Sequence, residues 1–310
     1  MSESLDFDGE RFTPEGVREI WYEHMHRYAF AGQFVRGKSV LDAACGEGYG
    51  SELLARVAHD VIGVDLSATA IEHARQRYSS GNIEFQQADC CRLPFEDDRF
   101  DCIVSFETIE HLEDQQKMLA EFERVLRPGG FLLISSPDKA VYSDARNFNN
   151  PHHVRELYMG EFRDLLGERF AAVRLFGQKL MFHSAIWPVE DQAGSAAGDR
   201  LSARLQTDKG DGPREISRPV HKAMYLLAFC ASSEDALPPF ENAVWLFDDE
   251  QESVYQHYEH EIRKNMAAGA ILAERDEALA EARAMLTASE AGTPVRRSWL
   301  SRIGFLRRRG

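Results

Sequence analysis

Short runs of apolar residues alternate with amphipathic stretches along the first two thirds of the chain. Seven such runs have the length and composition of buried strands, at 39–43, 61–64, 83–86, 100–106, 131–135, 170–176 and 223–231. Four stretches have apolar residues at helical spacing, at 12–31, 51–58, 68–78 and 115–125. Because short strands that alternate with amphipathic helices form βαβ units, the pattern predicts an α/β fold with a parallel sheet.

Two segments depart from this pattern. Residues 190–218 are rich in Gly, Asp, Ser and Arg and poor in apolar side chains, which predicts a mobile insertion without regular structure. Further on, 254–286 is a charged, Ala-rich stretch that predicts a helix, with leucines seven residues apart at Leu272, Leu279 and Leu286. The companion heptad positions are mixed: Ile262, Gly269, Asp276 and Arg283. A homo-oligomeric coiled coil and a helix that packs on its own domain or is solvated remain alternatives.

Composition narrows the class of protein. The 310 residues are 44% hydrophobic and 28% charged, which is enough apolar mass for a core and excludes a wholly disordered chain. No apolar run approaches the roughly 18–20 residues of a membrane-spanning helix, and the acidic segment 1–10 does not resemble a signal peptide. A cytoplasmic location is therefore expected. The net charge of −15 argues against nucleic acid as a partner, and five cysteines without a C-x-x-C pair predict reduced thiols.

The end of the chain has the opposite charge. Residues 291–310 contain six arginines and no acid, and Trp299, Leu300, Ile303 and Leu306 share one face of a predicted helix. Such a basic amphipathic segment can bind the inner face of an anionic membrane. The alternative is a disordered basic tail. The chain is thus divided into a helical lead-in (1–36), an α/β domain (37–235), a helical extension (236–290) and this tail.

The candidate chemistry begins at residues 40–50, where a strand runs into a glycine loop and then into a helix. The loop places Gly46, Gly48 and Gly50 at alternate positions, and Asp65 follows 19 residues after Gly46, at the end of the next strand. A carboxylate at that position can accept hydrogen bonds from both hydroxyls of a ribose. The spacing is not the G-x-G-x-x-G of dinucleotide-binding loops, which favours a ligand without a pyrophosphate.

Residues 38–136 resemble the class I S-adenosylmethionine-dependent methyltransferases. The glycine loop, Asp65, Asp89, the segment FDCIVSFETIEHL at 100–112 and the R-P-G-G turn at 127–130 match the motifs of that family in order. The resemblance implies a Rossmann-like seven-stranded sheet with helices on both faces, and S-adenosyl-L-methionine as the cofactor. It implies that the cofactor is bound by Arg27, Tyr28, Asp42, Ala44, Gly46, Gly48, Tyr49, Asp65, Leu66, Asp89, Cys90 and Phe106.

Individual assignments have simpler alternatives. Asp65 could cap the helix that begins near Ser67, and Asp89 could be an ordinary loop residue on the surface. The sequence also has Ala44 at a position where the family frequently has glycine. Arg27 or Tyr28 could meet the carboxylate of the cofactor from the lead-in helix, or could instead cap the core.

Two flanking segments narrow the resemblance. NPHHVRE at 150–156 resembles the N-P-x-H-V-x-E segment of methyltransferases that act on ubiquinone precursors and bacterial glycans, and EHMHRY at 23–28 resembles the lead-in of glycan and O-antigen gene products. This resemblance implies an O-methyltransferase that acts on a sugar or glycan terminus in cell-envelope polysaccharide synthesis. The alternatives are a soluble enzyme for a small natural product or quinone precursor, and a non-catalytic cofactor-binding scaffold or chain-length regulator.

Methyl transfer to a hydroxyl requires the removal of one proton, which suits a histidine. We expect His153 or His111 to be the general base, with Glu107 or Glu110 to orient it, while His152 is a further candidate. The alternative for Glu107 and His111 is a helix-start acid and a packing histidine. No metal is predicted, although an Mg²⁺ site at Asp138 and Glu107 is conceivable.

Overall fold

The computed structural model describes residues 18–181, 205–208, 213–249 and 253–290. The chain forms two compact units that divide between Asp248 and Asp249, later than the boundary predicted at 235. The segments 1–17 and 291–310, with the predicted basic tail, lie outside the described residues. Among the described helices, none combines the length and apolar character needed to cross a bilayer.

A seven-stranded sheet forms the centre of the first unit. Its strands are β1 (Ser39–Ala43), β2 (Asp60–Asp65), β3 (Ile83–Gln87), β4 (Phe100–Ser105), β5 (Leu126–Pro137), β6 (Ala172–Gln178) and β9 (Tyr225–Ala231). They lie in the order β3-β2-β1-β4-β5-β9-β6, with β1 to β5 parallel and β9 antiparallel to both β5 and β6. The sheet confirms the predicted Rossmann-like fold, with mixed rather than purely parallel strands.

Helices cover the sheet, and two further strands form a separate hairpin. The helices are α1 (Arg18–Gly32), α2 (Tyr49–Ala55), α3 (Ala68–Arg77), α4 (Gln115–Val125), α5 (Lys139–Tyr142) and α6 (Met159–Gly167). The hairpin pairs β7 (Leu205–Asp208) with β8 (Pro213–Ile216). The buried side chains form clusters in which apolar residues of the strands pack against the inner faces of these helices.

Two predicted segments differ from the structure. The R-P-G-G turn at 127–130 lies inside β5, because Leu126 already pairs with Phe100 and the register shifts before Phe131 pairs with Cys102. Gly129 has a φ of +80° there, so the glycines serve an irregularity in a strand rather than a turn before it. In the insertion at 190–218, the prediction of no regular structure is wrong for β7 and β8, while 190–204 and 209–212 lie outside the described residues.

The predicted extension from residue 236 is not helical at its start. Residues 237–248 are irregular, and they belong to the first unit, where Trp245 and Phe240 pack on α1 through Phe30 and Phe34. In the second unit, the predicted helix is present as α7 (Ser253–Glu290).

The predicted heptad positions of α7 are exposed where their side chains are described. Leu272 and Leu279 on the leucine seam are exposed, as is Ile262 at a companion position, while the side chain of Leu286 lies outside the described part. Self-association through this helix stays a prediction.

A buried carboxyl group ties the lead-in helix to the sheet. Asp42 in β1 is fully buried, and it accepts hydrogen bonds from the Tyr28 hydroxyl in α1 (3.1 Å) and from the Ser51 hydroxyl in α2 (2.6 Å). Tyr28 lies flat against Gly50, where a Cβ would come within 2.0 Å of its ring. Burial raises the pKa of Asp42 to about 7, so in the folded chain this carboxyl is mostly protonated below that pH.

This pKa predicts a pH dependence of stability. Between the ordinary aspartate pKa of about 3.9 and the folded value of about 7, only the folded chain keeps the proton on Asp42, so its contribution falls as pH rises. Relative to Asp42→Asn, which does not titrate and keeps one carbonyl acceptor, the wild-type protein should lose about 1.4 kcal/mol per pH unit between pH 5 and 6, and less as the pH approaches 7. Denaturant unfolding of both proteins across this range measures the difference. Parallel pH profiles for the two proteins would show that Asp42 is ionised in the fold.

Candidate active site

A cavity of about 370 Å³ opens at the carboxyl ends of β1, β2 and β4, where open α/β sheets bind ligands. Most of the residues predicted to bind the cofactor lie along its wall: Tyr28, Ala44, Gly46, Tyr49, Asp65, Leu66, Asp89, Cys90 and Phe106. The candidate catalytic residues Glu107, His111, His152 and His153 line the same cavity. The fold therefore brings the two predicted sets together.

The carboxylate of Asp65 is held at the floor of this cavity. The Gly46 N–H donates to its Oδ2 (3.0 Å) and the Ser67 N–H donates to its Oδ1 (2.8 Å). Because a carboxylate oxygen can accept a second hydrogen bond, both oxygens still have capacity for the two hydroxyls of a ribose. The capping alternative is wrong, since α3 is capped by Ser67, whose hydroxyl accepts from the Ala70 N–H.

The residues around Asp65 differ in exposure. Leu66 is 69% exposed at the cavity mouth, in a position to cover a flat ring. Asp89 is exposed and its Oδ1 accepts the Cys91 N–H (2.8 Å), so it also shapes its own loop. Burial raises the pKa of Cys90 to about 12, which keeps that side chain a neutral thiol. Ala44 has a φ of +60°, a left-handed conformation that favours glycine.

Three of the residues predicted to bind the cofactor do not line this cavity. Asp42 does not line the cavity, because it is fully buried behind it and bonded to Tyr28 and Ser51. Gly48 is also a packing position, since a Cβ there would lie 2.7 Å from the ring of Phe85. Arg27 is 1% exposed and lines a second cavity on the other side of α1.

His153 is held by two side chains that the sequence did not single out. Its Nδ1 lies 2.5 Å from Glu156 Oε1, and since a carboxylate only accepts, Nδ1 carries the proton. Its Nε2 lies 2.9 Å from Asn150 Nδ2. The amide of Asn150 is oriented by the His152 N–H, which donates to Asn150 Oδ1 (3.1 Å), so Nδ2 donates to the lone pair of His153. Both ring nitrogens of His153 are therefore engaged.

His111 is held differently. Its Nδ1 lies 2.9 Å from the backbone carbonyl oxygen of His152, an acceptor, so the neutral ring carries its proton on Nδ1. Its Nε2 is then the basic nitrogen, 4.0 Å from Glu110 Oε1. The ring stands perpendicular to that of His153, with centroids 5.1 Å apart. Of the two predicted bases, His111 has the geometry of a proton acceptor, and His152 contributes through its carbonyl group.

The two glutamates do not orient the histidines as predicted. Glu107, with a φ of +50°, accepts at Oε1 from the Ser135 hydroxyl (2.6 Å) and lies 3.7 Å from Arg27 Nη1. Glu110 is fully buried, and burial followed by repulsion from Glu107 raises the pKa of its carboxyl well above the usual range. The orienting groups are instead Glu156 for His153 and the His152 carbonyl for His111. The N-P-x-H-V-x-E segment contained the signal for Glu156 and Asn150.

One cluster could hold a metal ion. Ligand atoms of Glu110, His111 and His153 lie within 4.8 Å of one another. The donation from Asn150 occupies His153 Nε2, so this set fits a metal only if that amide turns away. The Mg²⁺ alternative fits less well, because Asp138 caps α5 and is not part of the described cavity wall.

Comparisons with known proteins agree with this site. A family model described as a methyltransferase domain matches residues 41–134. A probable S-adenosylmethionine-dependent methyltransferase of Mycolicibacterium smegmatis is 34% identical over 216 residues, which cover 69% of this chain and 82% of that protein. A protein of the same description from Mycobacterium tuberculosis is 40% identical over 213 residues, or 67% of this chain and 75% of that protein.

A third relative is more distant. The fatty-acid O-methyltransferase of Mycolicibacterium smegmatis is 33% identical over 163 residues, which cover 49% of this chain and 57% of that protein. The first two relatives match over most of their length, with the glycine loop, Asp65 and the predicted sheet all present in this chain. The chain therefore belongs to the S-adenosylmethionine-dependent methyltransferases and is an enzyme that uses this cofactor.

Proposed function

We propose that this methyltransferase acts on a hydroxyl oxygen of a sugar or glycan terminus in cell-envelope polysaccharide synthesis. The observation that carries the proposal is His111, which lines the cavity that contains Asp65 and whose proton-bearing Nδ1 faces the His152 carbonyl. A neutral hydroxyl needs a base for methylation, and an imidazole with a pKa near neutrality suits that task.

In this mechanism the cavity aligns the two reactants. S-adenosylmethionine supplies, when bound, a methyl group on a positively charged sulfur that needs no further activation. Asp65 accepts the ribose hydroxyls, and the glycine loop lets the cofactor approach the backbone at Gly46. His111 Nε2 would take the proton of the acceptor hydroxyl. The His152 carbonyl keeps the ring oriented throughout.

A second candidate acceptor is a lipid. The fatty-acid O-methyltransferase among the relatives favours it, since that protein is named for a lipid substrate. A carboxylate acceptor would not need a base, so the histidine geometry supports the hydroxyl acceptor instead. The non-catalytic alternative is not retained, because the matched methyltransferase domain and the named relatives support an enzyme.

The acceptor class can be tested directly. The full chain would be incubated with methyl-labelled S-adenosylmethionine and, separately, with polysaccharide and lipid extracts of a bacterial envelope. We expect label in O-methyl sugars after acid hydrolysis, identified by mass spectrometry. Label confined to fatty-acid methyl esters would support the lipid candidate, and incorporation in neither extract would oppose both.

The ribose assignment predicts a loss of cofactor affinity in Asp65→Ala. Charge-assisted hydrogen bonds contribute about 1.5–3 kcal/mol, so binding of S-adenosylhomocysteine should weaken at least about tenfold by calorimetry. Asp97→Ala is the control, since that aspartate is 73% exposed and pairs with Arg124 away from the cavity. Equal affinity in both variants would remove the role given to Asp65.

The two histidines should respond differently to substitution. His111→Ala should lower turnover about 10²–10⁴-fold with little change in S-adenosylhomocysteine affinity, because the base acts only in the chemical step. Its pH–rate profile should also lose the acidic limb that the wild-type enzyme shows. His153→Ala, whose lone pair is already engaged by Asn150, should lose less turnover and keep that limb. The opposite pattern would identify His153 as the base.

We also propose that residues 291–310 bind an anionic membrane surface, where a lipid-linked glycan would be met. Six arginines contribute about 1 kcal/mol each near such a surface, and Trp299, Ile303 and Leu306 add apolar burial. The full chain should sediment with anionic vesicles at low salt, and a variant that ends at residue 290 should not. Sedimentation of both proteins, or of neither, would contradict this role.

A further inference from the structure

A second cavity lies on the other side of α1 from the cofactor cavity that contains His111 and His153. It has a volume of about 330 Å³ and is bordered by α1, the end of β6 and the irregular segment 243–247. The methyl-transfer mechanism above uses none of the space in it. Its walls combine aromatic rings with two cationic side chains.

The aromatic part of the wall is a packed group of rings. Trp245 lies with its ring centroid 5.0 Å from that of Phe30 and 6.0 Å from that of Phe176. Phe247 stacks on His26 at 5.5 Å, with an angle of 18° between the rings. Burial lowers the pKa of His26, which keeps that ring neutral. These rings provide a surface for an apolar chain.

Arg27 forms the inner end of the cavity and is incompletely paired. Its Nη1 donates to Gln178 Oε1 (2.9 Å), and the guanidinium carbon lies 4.9 Å from the ring centroid of Tyr225. Its Nε and Nη2 are buried and have no hydrogen-bond acceptor among the residues that the structure describes. Burial of unsatisfied N–H groups on a charged side chain is costly, so the position fits an anionic ligand.

Two further charged side chains line the cavity, those of Lys179 and Glu23. Lys179 lines it and makes no ion pair with any described residue. Glu23 is the one acid among the described lining residues, and its Oε2 accepts a hydrogen bond from the Tyr225 hydroxyl (3.0 Å). Burial raises the pKa of Glu23. Two cations thus line the cavity with one acid among the described residues, and Arg27 also lies 3.7 Å from Glu107, which is not part of this lining.

We propose that this cavity binds an unbranched carboxylate with an apolar tail, such as a fatty acid of medium length. The carboxylate pairs with Arg27 and Lys179, and the tail lies on the rings of Phe30, Phe176 and Trp245. Arg27 also lies 3.7 Å from Glu107, which lines the cofactor cavity. The side chains of Arg27 and Glu107 therefore separate the bound carboxylate from the cofactor cavity. The proposal goes beyond the proposed function and does not depend on which atom receives the methyl group.

Calorimetry with the full chain tests the proposal, with sodium decanoate below its micelle concentration as the probe. We expect saturable binding of one decanoate per chain. Decanol lacks the charge and acetate lacks the tail, so both should bind at least about tenfold more weakly. No saturable binding of decanoate, or equal binding of decanol, would overturn the proposal.

Variants locate the binding to this cavity. Replacement of the fully buried Arg27 risks unfolding, so Lys179→Gln and Trp245→Ala carry the test, and each should weaken decanoate binding about tenfold. Arg36→Gln makes the same charge change as Lys179→Gln at an exposed position and should bind decanoate normally. All three should keep the wild-type affinity for S-adenosylhomocysteine, which separates failure of this proposal from failure of the methyltransferase site. Equal decanoate affinity in Lys179→Gln and Arg36→Gln would overturn the assignment.

Discussion

The buried carboxyl of Asp42 is the constraint on which the site depends. It joins the lead-in helix, the first strand and the helix after the glycine loop through the hydroxyls of Tyr28 and Ser51. With Tyr28 fixed on Gly50, its ring also packs edge-on against Phe106, which follows β4. The wall of the cofactor cavity is therefore assembled around one buried carboxyl group. Burial of that group is tolerated because two hydroxyl groups donate hydrogen bonds to it.

Parts of the fold were predictable because they follow from local patterns. The apolar runs gave the sheet strands within a few residues, and α4 was located at both ends, since its apolar positions repeat at helical spacing and Asp114 caps it. The hairpin of β7 and β8 was not predicted, because 190–218 is rich in Gly, Asp, Ser and Arg and poor in the apolar residues that indicate strands. The R-P-G-G segment was misassigned because pairing across strands, which decides where β5 begins, is not a local property.

In the site, too, some features follow from local sequence patterns and others depend on contacts between distant segments. Asp65 was identified from its place after a strand, and its two backbone donors keep it there. The different roles of the histidines could not be predicted, because they depend on a backbone carbonyl of His152 and on the orientation of the Asn150 amide. Neither a carbonyl direction nor an amide orientation is encoded by residue type. Both rings thus carry the proton on Nδ1, and they differ in the groups that hold them.

Arg27 has a consequence for how ligands affect one another. The helix α1 presents Tyr28 to the cofactor cavity and Arg27 to the aromatic cavity, in consecutive residues, so the two ligand spaces share one helix. A shift of α1 caused by a ligand in one cavity would also move a wall of the other cavity. Such coupling is reciprocal by thermodynamic necessity, so each ligand would change the affinity of the other by the same factor. One turn of α1 would then couple the ligand affinities of two chemically different cavities.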